Sequence, residues 1–438
     1  MSDKKFNIKT LGCKVNQYES DGIAISLEKK GWEKSDKTSD VFIINTCAVT
    51  SKACMQSRQA IRKAIKNNPL SKIVVTGCHS QTEPEKINEI LNIDKIICNQ
   101  DKFVIADYIH NYFNLKDKPL LKFTKPNNTK EKLFQSFDHV VTGKNTRAYL
   151  KIQDGCDNFC TYCIVPYARG SSVSMSEKKL FSQIKTLKKL GFKEVILTGI
   201  NTGKYGIDLK EKTSLEKLLN TINNQKLIHR IRLSSIEPNL ISDEIISLAK
   251  DKNILCNHFH IPLQSGDNSI LKKMKRPYNA EFFKEIVLKI HEEIPLVSIG
   301  TDVLIGFPDE TDKKFENTYK LIEKLPLSYL HVFPFSARKK TVAFHFNNKI
   351  DQKIIKKRCD LMRNLNLKKQ KSFINKNINE TQEAIVLNSY DKKTNYTKAV
   401  TSNYLNILLD KACKTNILDV IPIEYDDELN IYGKIKND

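Results

Sequence analysis

Long apolar runs are missing from this 438-residue chain. No segment has the uninterrupted apolar length of a bilayer-spanning helix, and the opening residues, MSDKKFNIKTLG, hold no apolar stretch of the kind that forms an export signal. The expectation is a cytoplasmic chain with no membrane partner. Acidic residues are also scarce: 50 Asp and Glu face 72 Lys and Arg, a formal net charge of +22. That excess suits a polyanionic partner, most often nucleic acid, although Lys and Asn run high everywhere and compositional bias competes with this reading. An even number of cysteines is missing too. Eleven thiols cannot all pair, and without an export signal they are expected to be reduced and ligating.

A second Cys-x-x-Cys unit, which a closed four-ligand zinc site commonly uses, is absent. What is present is Gly155-Cys156-Asp157-Asn158-Phe159-Cys160-Thr161-Tyr162-Cys163, a Cys-x-x-x-Cys-x-x-Cys run. Iron–sulfur clusters are held by Cys thiolates, usually four. Here three lie close together and no fourth follows nearby, so a cube-shaped cluster held by Cys156, Cys160 and Cys163 would keep one iron open.

Residues 1–115 alternate short apolar runs with helix-like ones: strands over 6–11, 41–45, 72–76 and 95–97, helices over 18–30, 51–67 and 84–91. This alternation predicts a doubly wound parallel sheet. Cys13, Cys47 and Cys78 each come just after a strand, and open α/β sheets build sites outside the carboxyl ends of their strands. They form a second three-thiolate constellation; the plainer alternative is three separate small core residues. Cys54 and Cys98 stand near enough to leave the ligand count open. Residues 116–144, with Pro119, Pro126 and Gly143, read as a linker.

Residues 145–368 repeat the strand–helix alternation six times, which predicts a partial (βα)6 barrel of TIM type, with Ser174-Met-Ser-Glu177 as a capping box before one helix. Polar segments follow the strands: 198–203, 234–238, 263–267 and 306–311. Asp302, inside a strand pattern, is expected to line the active face, and Lys275 and Arg276 either reach a phosphate or form a solvated basic turn. A basic helix over 358–376 then leads into strands over 381–388, 397–402, 405–409 and 416–425, so residues 369–438 are expected to form a small all-β barrel.

Cys156, Cys160 and Cys163, with Tyr162 in the aromatic position, resemble the signature of the radical S-adenosylmethionine (SAM) enzymes. Thr10-Leu-Gly-Cys-Lys-Val-Asn-Gln-Tyr-Glu-Ser20, Asn45-Thr-Cys-Ala-Val-Thr50 and Thr76-Gly-Cys78 resemble the N-terminal domain of the methylthiotransferases. The resemblance implies two [4Fe-4S] clusters, an auxiliary one on Cys13, Cys47 and Cys78 and a radical SAM one on Cys156, Cys160 and Cys163. It implies SAM as cosubstrate, facing Thr198, Gly199 and Asn201, with Glu237 and the segment Gln264, Ser265, Gly266 as further SAM-facing positions. It implies a TRAM-like RNA-binding C-terminal barrel and an external electron donor, and leaves the sulfur donor unknown. Lys14-Val15 after the first cysteine and Leu197-Thr-Gly-Ile-Asn-Thr-Gly-Lys-Tyr-Gly206 look most like the subfamily acting on threonylcarbamoyladenosine in the tRNA anticodon stem-loop, whose product carries a methylthio group on C2. Rivals with the same chemistry act on isopentenyladenosine in tRNA or on an aspartate of a ribosomal protein. A non-catalytic iron–sulfur protein that binds RNA or transfers electrons is the reading from another class, and it leaves the barrel loops idle.

Overall fold

The N-terminal sheet is built from runs such as VFIINT and KIVVTG, whose β-branched side chains suit strands covered on both faces. In the computed structural model, which describes residues 4–114, 133–143, 145–250, 254–410 and 417–436, these runs form β1 (Lys5–Thr10), β3 (Val41–Thr46) and β4 (Lys72–Gly77). β2 (Glu33–Lys34) and β5 (Lys95–Ile96) flank them. All pairings are parallel and the order is β2-β1-β3-β4-β5. The two-residue edge strand β2 was not expected from the pattern. Two other differences from expectation matter for the site. The first helix begins at Lys14 rather than 18, with Cys13 as its N-cap, and a short helix Cys78–Thr82 precedes Pro84–Asn88.

Most of the expected linker lies outside the described residues. Of the part that is described, Phe137 and Val141 are buried against the N-terminal core, where the Phe137 ring meets Tyr18 and Phe103.

The central strands are β6 (Ala148–Lys151), β9 (Glu194–Thr198), β10 (Arg230–Leu233), β11 (His258–His260), β12 (Ser298–Ile305) and β13 (Tyr329–Pro334). They pair in parallel as β10-β9-β6 and β11-β12-β13, and a single bridge from Ile231 to Leu255 stands between the two groups. The fold is therefore α/β with parallel sheets. Two short strands, β7 (Gln153–Asp154) and β8 (Val173–Ser174), pair antiparallel at the start of the cysteine loop. The expected capping box does not form. Ser174 is engaged in β8 and its hydroxyl donates to Asp208, so Ser176 becomes the N-cap, without a side-chain bond, and Glu177 accepts from Thr213 instead.

The long helix Gln352–Asn377 leads to β14 (Gln382–Tyr390), β15 (Thr397–Thr401), β16 (Asn406–Leu409), β17 (Ile417–Tyr425) and β18 (Ile431–Ile435). These close into a barrel ordered β14-β15-β16-β18-β17. The sequence pattern missed β18, which joins β16 to β17 and closes the ring.

The C-terminal barrel docks on β10 through charge. Glu194 is fully buried and accepts from Arg230 Nε at 2.7 Å and Arg232 Nε at 3.0 Å. The same arginines donate to the carbonyls of Val400, Thr401 and Ser402 at 2.9–3.0 Å. Removing the carboxylate leaves buried guanidiniums underpaired, which costs about 3–5 kcal/mol. Glu194→Ala is therefore expected to speed amide hydrogen exchange in β15 by at least tenfold relative to β4; equal protection in both strands would contradict this docking.

Candidate active site

β1, β3 and β4 each lead into a cysteine. The strand order reverses between β1 and β3, so Cys13 and Cys47 stand at the point where the sheet's connections diverge, the crevice that open α/β sheets use for ligands. Two glycines permit the close approach. Gly12 has φ +98°, and a Cβ there would come within 2.9 Å of Cys47 Sγ. Gly77 has φ +102°, and a Cβ there would come within 2.4 Å of the Thr46 backbone. Cys47 and Cys78 are buried, whereas solvent reaches Cys13. Burial pushes the Cys47 thiol up to about 12, and Cys78 and Cys13 add to the rise. Protein surrounds Cys13 closely enough that desolvation raises its thiol as well, with Cys78 adding and Arg169 opposing. Three thiols gathered at one sheet edge are a donor set that a bound cation would satisfy.

Cys156, Cys160 and Cys163 follow β7 on one loop. Asn158 N–H lies 3.5 Å from Cys156 Sγ, and Arg276 Nη1 donates to Cys160 Sγ at 3.2 Å. Burial pushes Cys163 up to about 12, with Cys160 and Cys156 adding. None of these six thiols is in a disulfide.

One short helix joins the two triads. Val165–Arg169 begins two residues after Cys163 and packs through Ile164 and Ala168 on Cys78. Asn99 Nδ2 donates to Ala168 O at 2.8 Å and lies 3.7 Å from Cys78 Sγ. A five-residue helix rises roughly 7 Å, so the triads are neighbours in the fold. The helix ends in Arg169, which is buried and binds Glu19 at 3.0 Å and Asp154 at 2.9 Å. Lys102 and Lys151 bind the same Glu19 at 2.5 and 3.4 Å, and Lys151 also binds Asp154 at 3.0 Å. This buried network ties the N-terminal sheet to the start of the cysteine loop. Its members span positions 19 to 169, and no local pattern in the sequence marks them.

Gln153 holds the cysteine loop to the loop after β9. Its Nε2 donates to Gly155 O at 2.8 Å, and its Oε1 accepts from the N–H groups of Ile200 and Asn201 at 2.9 and 2.8 Å. Thr198 is buried at the end of β9, and Gly199 packs against Gln153. Asn201 is 4% exposed, yet neither atom of its side-chain amide has a partner among the described residues; the Oγ of Ser234, a residue 9% exposed, is likewise unpartnered among them. Unpartnered buried polar atoms are places where a water, an ion or a ligand can supply the missing bond. Glu237 faces the same loop and forms a close ion pair with Arg276, whose Nη1 is also 3.4 Å from Tyr162 OH. Burial raises the Glu237 carboxyl although Arg276 opposes.

Gln264 adopts φ +72° and bridges to Val303, whereas Ser265 and Gly266 turn to Thr318 of the helix Asp312–Lys324 at 3.3 and 2.9 Å. Lys275 is exposed, and Arg276 points inward rather than to solvent. Asp302 accepts from His260 at 2.9 Å and His331 at 3.2 Å; burial would raise its carboxyl, but these bonds hold it well below the usual range. Cys54 accepts from Arg338 Nη2 at 2.9 Å, beside His79 and Glu83, and Cys98 is fully buried just before the turn Asn99–Val104. No helix among the described residues is long and apolar enough to cross a membrane.

Residues 150–322 match the Radical SAM superfamily, and residues 5–98 match the family described as Uncharacterized protein family UPF0004. The solved radical S-adenosylmethionine methyltransferase TsrM from Kitasatospora setae shares the fold, with a TM-score of 0.55 at 13% identity over 76% of this chain and 73% of that one. Fold and thiol loop together define a radical SAM protein. The chain is 38% identical to the threonylcarbamoyladenosine tRNA methylthiotransferase MtaB of Bacillus subtilis, covering 91% of this chain and 89% of the relative. It is 33% identical to the tRNA-2-methylthio-N(6)-dimethylallyladenosine synthase of a Thermoanaerobacter species, over 90% and 85%. This chain belongs to the tRNA methylthiotransferase family.

Proposed function

We propose that this chain places a methylthio group on C2 of threonylcarbamoyladenosine in the anticodon stem-loop of tRNA, using SAM and two [4Fe-4S] clusters. The observation that carries the reading is the pair of three-thiol sites separated by the helix Val165–Arg169, beside unpartnered polar atoms on Asn201 and Ser234. Cys13, Cys47 and Cys78 would hold one cluster, and Cys156, Cys160 and Cys163 the other; three thiols each leave one iron free for a further ligand. When bound, these groups supply one-electron chemistry for an aromatic C–H bond that has no useful acidity, and the sulfur to be transferred.

The chain's own residues bind and orient. The Asn201 amide and Ser234 hydroxyl offer the donors and acceptor that a zwitterionic amino acid end requires, and Gln153 fixes the Asn201 loop to the cysteines. Glu237 adds a carboxylate already paired by Arg276, which also steadies Cys160. Arg169 sets a positive charge beside Cys13 and offsets the negative charge of a thiolate-bound cluster. Thr198, Gly199, Tyr162 and Gln264 would add contacts to SAM, while Ser265 and Gly266 are held by Thr318 of the helix Asp312–Lys324.

The domain division that suits this reading is 1–115, a connector over 116–144, an open (βα)6 barrel over 145–368 and a TRAM-like barrel over 369–438. An external electron donor and a cytoplasmic setting go with it. The direct test of substrate choice incubates anaerobically reconstituted protein with SAM, dithionite and sulfide, together with equal amounts of tRNA carrying threonylcarbamoyladenosine and tRNA carrying isopentenyladenosine. Methylthiolation of the first nucleoside alone is expected; methylthiolation of the second alone would contradict the substrate assignment.

A further inference from the structure

Away from the thiols themselves, three parts of the chain meet at one tyrosine. Tyr404 sits in the turn between β15 and β16 with φ +72°, a conformation that costs a non-glycine residue free energy and persists only where its surroundings hold it. The neighbouring Asn403 is buried and donates to Leu296 O at 2.9 Å and to Asn377 Oδ1 at 2.7 Å, so the turn is clamped. The ring it presents is flanked by Lys14 Nζ at 5.9 Å, the Arg147 guanidinium at 5.9 Å and the Arg232 guanidinium at 4.9 Å.

Charge does not balance here. Lys14, Arg147, Arg230 and Arg232 meet two carboxylates, Glu194 and Glu383, which leaves two positive charges unmatched. Arg230 and Arg232 are used up on Glu194, Glu383 and the β15 carbonyls. Arg147 spends one nitrogen on Glu194 at 3.4 Å. Lys14, half-buried, makes no hydrogen bond or ion pair with any described residue. An ammonium held half out of water beside an aromatic ring, with no anion of its own, is a place for a ligand's anion.

Resting on the function proposed above, we infer that Lys14, assisted by Arg147 and the Tyr404 ring, binds the carboxylate of the threonyl group on N6 of the substrate base and so sets the enzyme's choice of substrate. Lys14 is the residue next to Cys13, whose site would deliver sulfur to C2 of that purine. A cation one residue from that thiol reaches a substituent of the base more readily than the ribose–phosphate backbone. The dimethylallyl group of the other tRNA substrate class has no charge and leaves these cations unmatched, a penalty that favours the charged substrate. The sequence does not bring Lys14 and Tyr404 together, because the ring lies 390 positions away.

The test measures binding of cluster-loaded protein to three anticodon stem-loop RNAs: one with threonylcarbamoyladenosine, one with its carboxyl as the methyl ester, and one with isopentenyladenosine. The unaltered protein is expected to favour acid over ester by about ten- to a hundredfold, the range of one charge-assisted hydrogen bond. Lys14→Met, checked for unchanged iron content, should narrow that ratio to within about threefold while leaving ester binding in place, and Lys14→Arg should keep most of it. Arg147→Gln, at a residue not adjacent to any thiol ligand, is the second variant and should narrow the ratio in the same direction. If Lys14→Met and Arg147→Gln both keep the full ratio, the inference fails and the functional reading stands. Equal weakening of acid and ester by Lys14→Met would mean that Lys14 meets a backbone phosphate, which also overturns it. Preference of the unaltered protein for the isopentenyl RNA would instead overturn the functional reading on which the inference rests.

Discussion

Alanine in place of Cys156, Cys160 or Cys163 is expected to bring methylthio product below detection and to abolish reductive cleavage of SAM. Each such variant should retain roughly four of the about eight irons that two [4Fe-4S] clusters contain. Alanine at Cys13, Cys47 or Cys78 should also abolish product and lose the other four irons, yet deoxyadenosine should still form from SAM. This split follows from the two triads lying on separate elements, one on the loop after β7 and the other on three strand ends. A Cys13→Ala protein that still makes product would remove the auxiliary site from the account. Cys54→Ser makes the contrast. Cys54 accepts from Arg338 at 2.9 Å, serine keeps an acceptor there, and both clusters are expected to remain.

Glu19→Ala is expected to cost about 3–5 kcal/mol of stability, because it takes from buried Lys102 its ion pair and leaves Lys151 and Arg169 with Asp154 as their remaining carboxylate. Burial acts to raise the Glu19 carboxyl, but Arg169, Lys102 and Lys151 outweigh it and hold it at about 2. A carboxyl held below its unfolded value stabilises the fold at neutral pH, and that contribution fades as pH falls from about 4.5 toward 2. The measurement is the urea midpoint of the cluster-loaded protein at neutral pH, with iron content followed alongside. A midpoint unchanged from the parent would mean that the network contributes no net stability. A fall in the midpoint together with loss of the Cys13–Cys47–Cys78 irons is the expected result, since Arg169 belongs both to the network and to the surroundings of Cys13.

The thiols were legible in the sequence for two physical reasons. Cys156, Cys160 and Cys163 are local, so their spacing alone puts them on one loop. Cys13, Cys47 and Cys78 are distant, but each ends an apolar β-branched run, and strands in a parallel sheet carry their ends to one edge. The reversal of strand order that makes this edge a crevice was not legible. It depends on β2, which is two residues long, Glu33–Lys34, and shows no alternation. The Glu19–Arg169 network and the Lys14–Tyr404 meeting were invisible because each joins residues that only the assembled fold brings together. Ser174 shows the opposite failure. Its spacing to Glu177 fits a capping box, but pairing of β8 with β7 takes its backbone and Asp208 takes its hydroxyl. A short motif predicts a bond only where no longer-range partner competes for the same atoms.

The central claim is that one chain modifies one tRNA nucleoside through two three-thiol sites. It is tested most directly by mass spectrometry of tRNA nucleosides from cells lacking this protein and from the same cells given back the unaltered chain, Cys13→Ala or Cys156→Ala. The account predicts that 2-methylthio-threonylcarbamoyladenosine disappears, returns with the unaltered chain, and returns with neither variant. Undiminished 2-methylthio-threonylcarbamoyladenosine in the cells lacking the protein, or its full return with either variant, would contradict it.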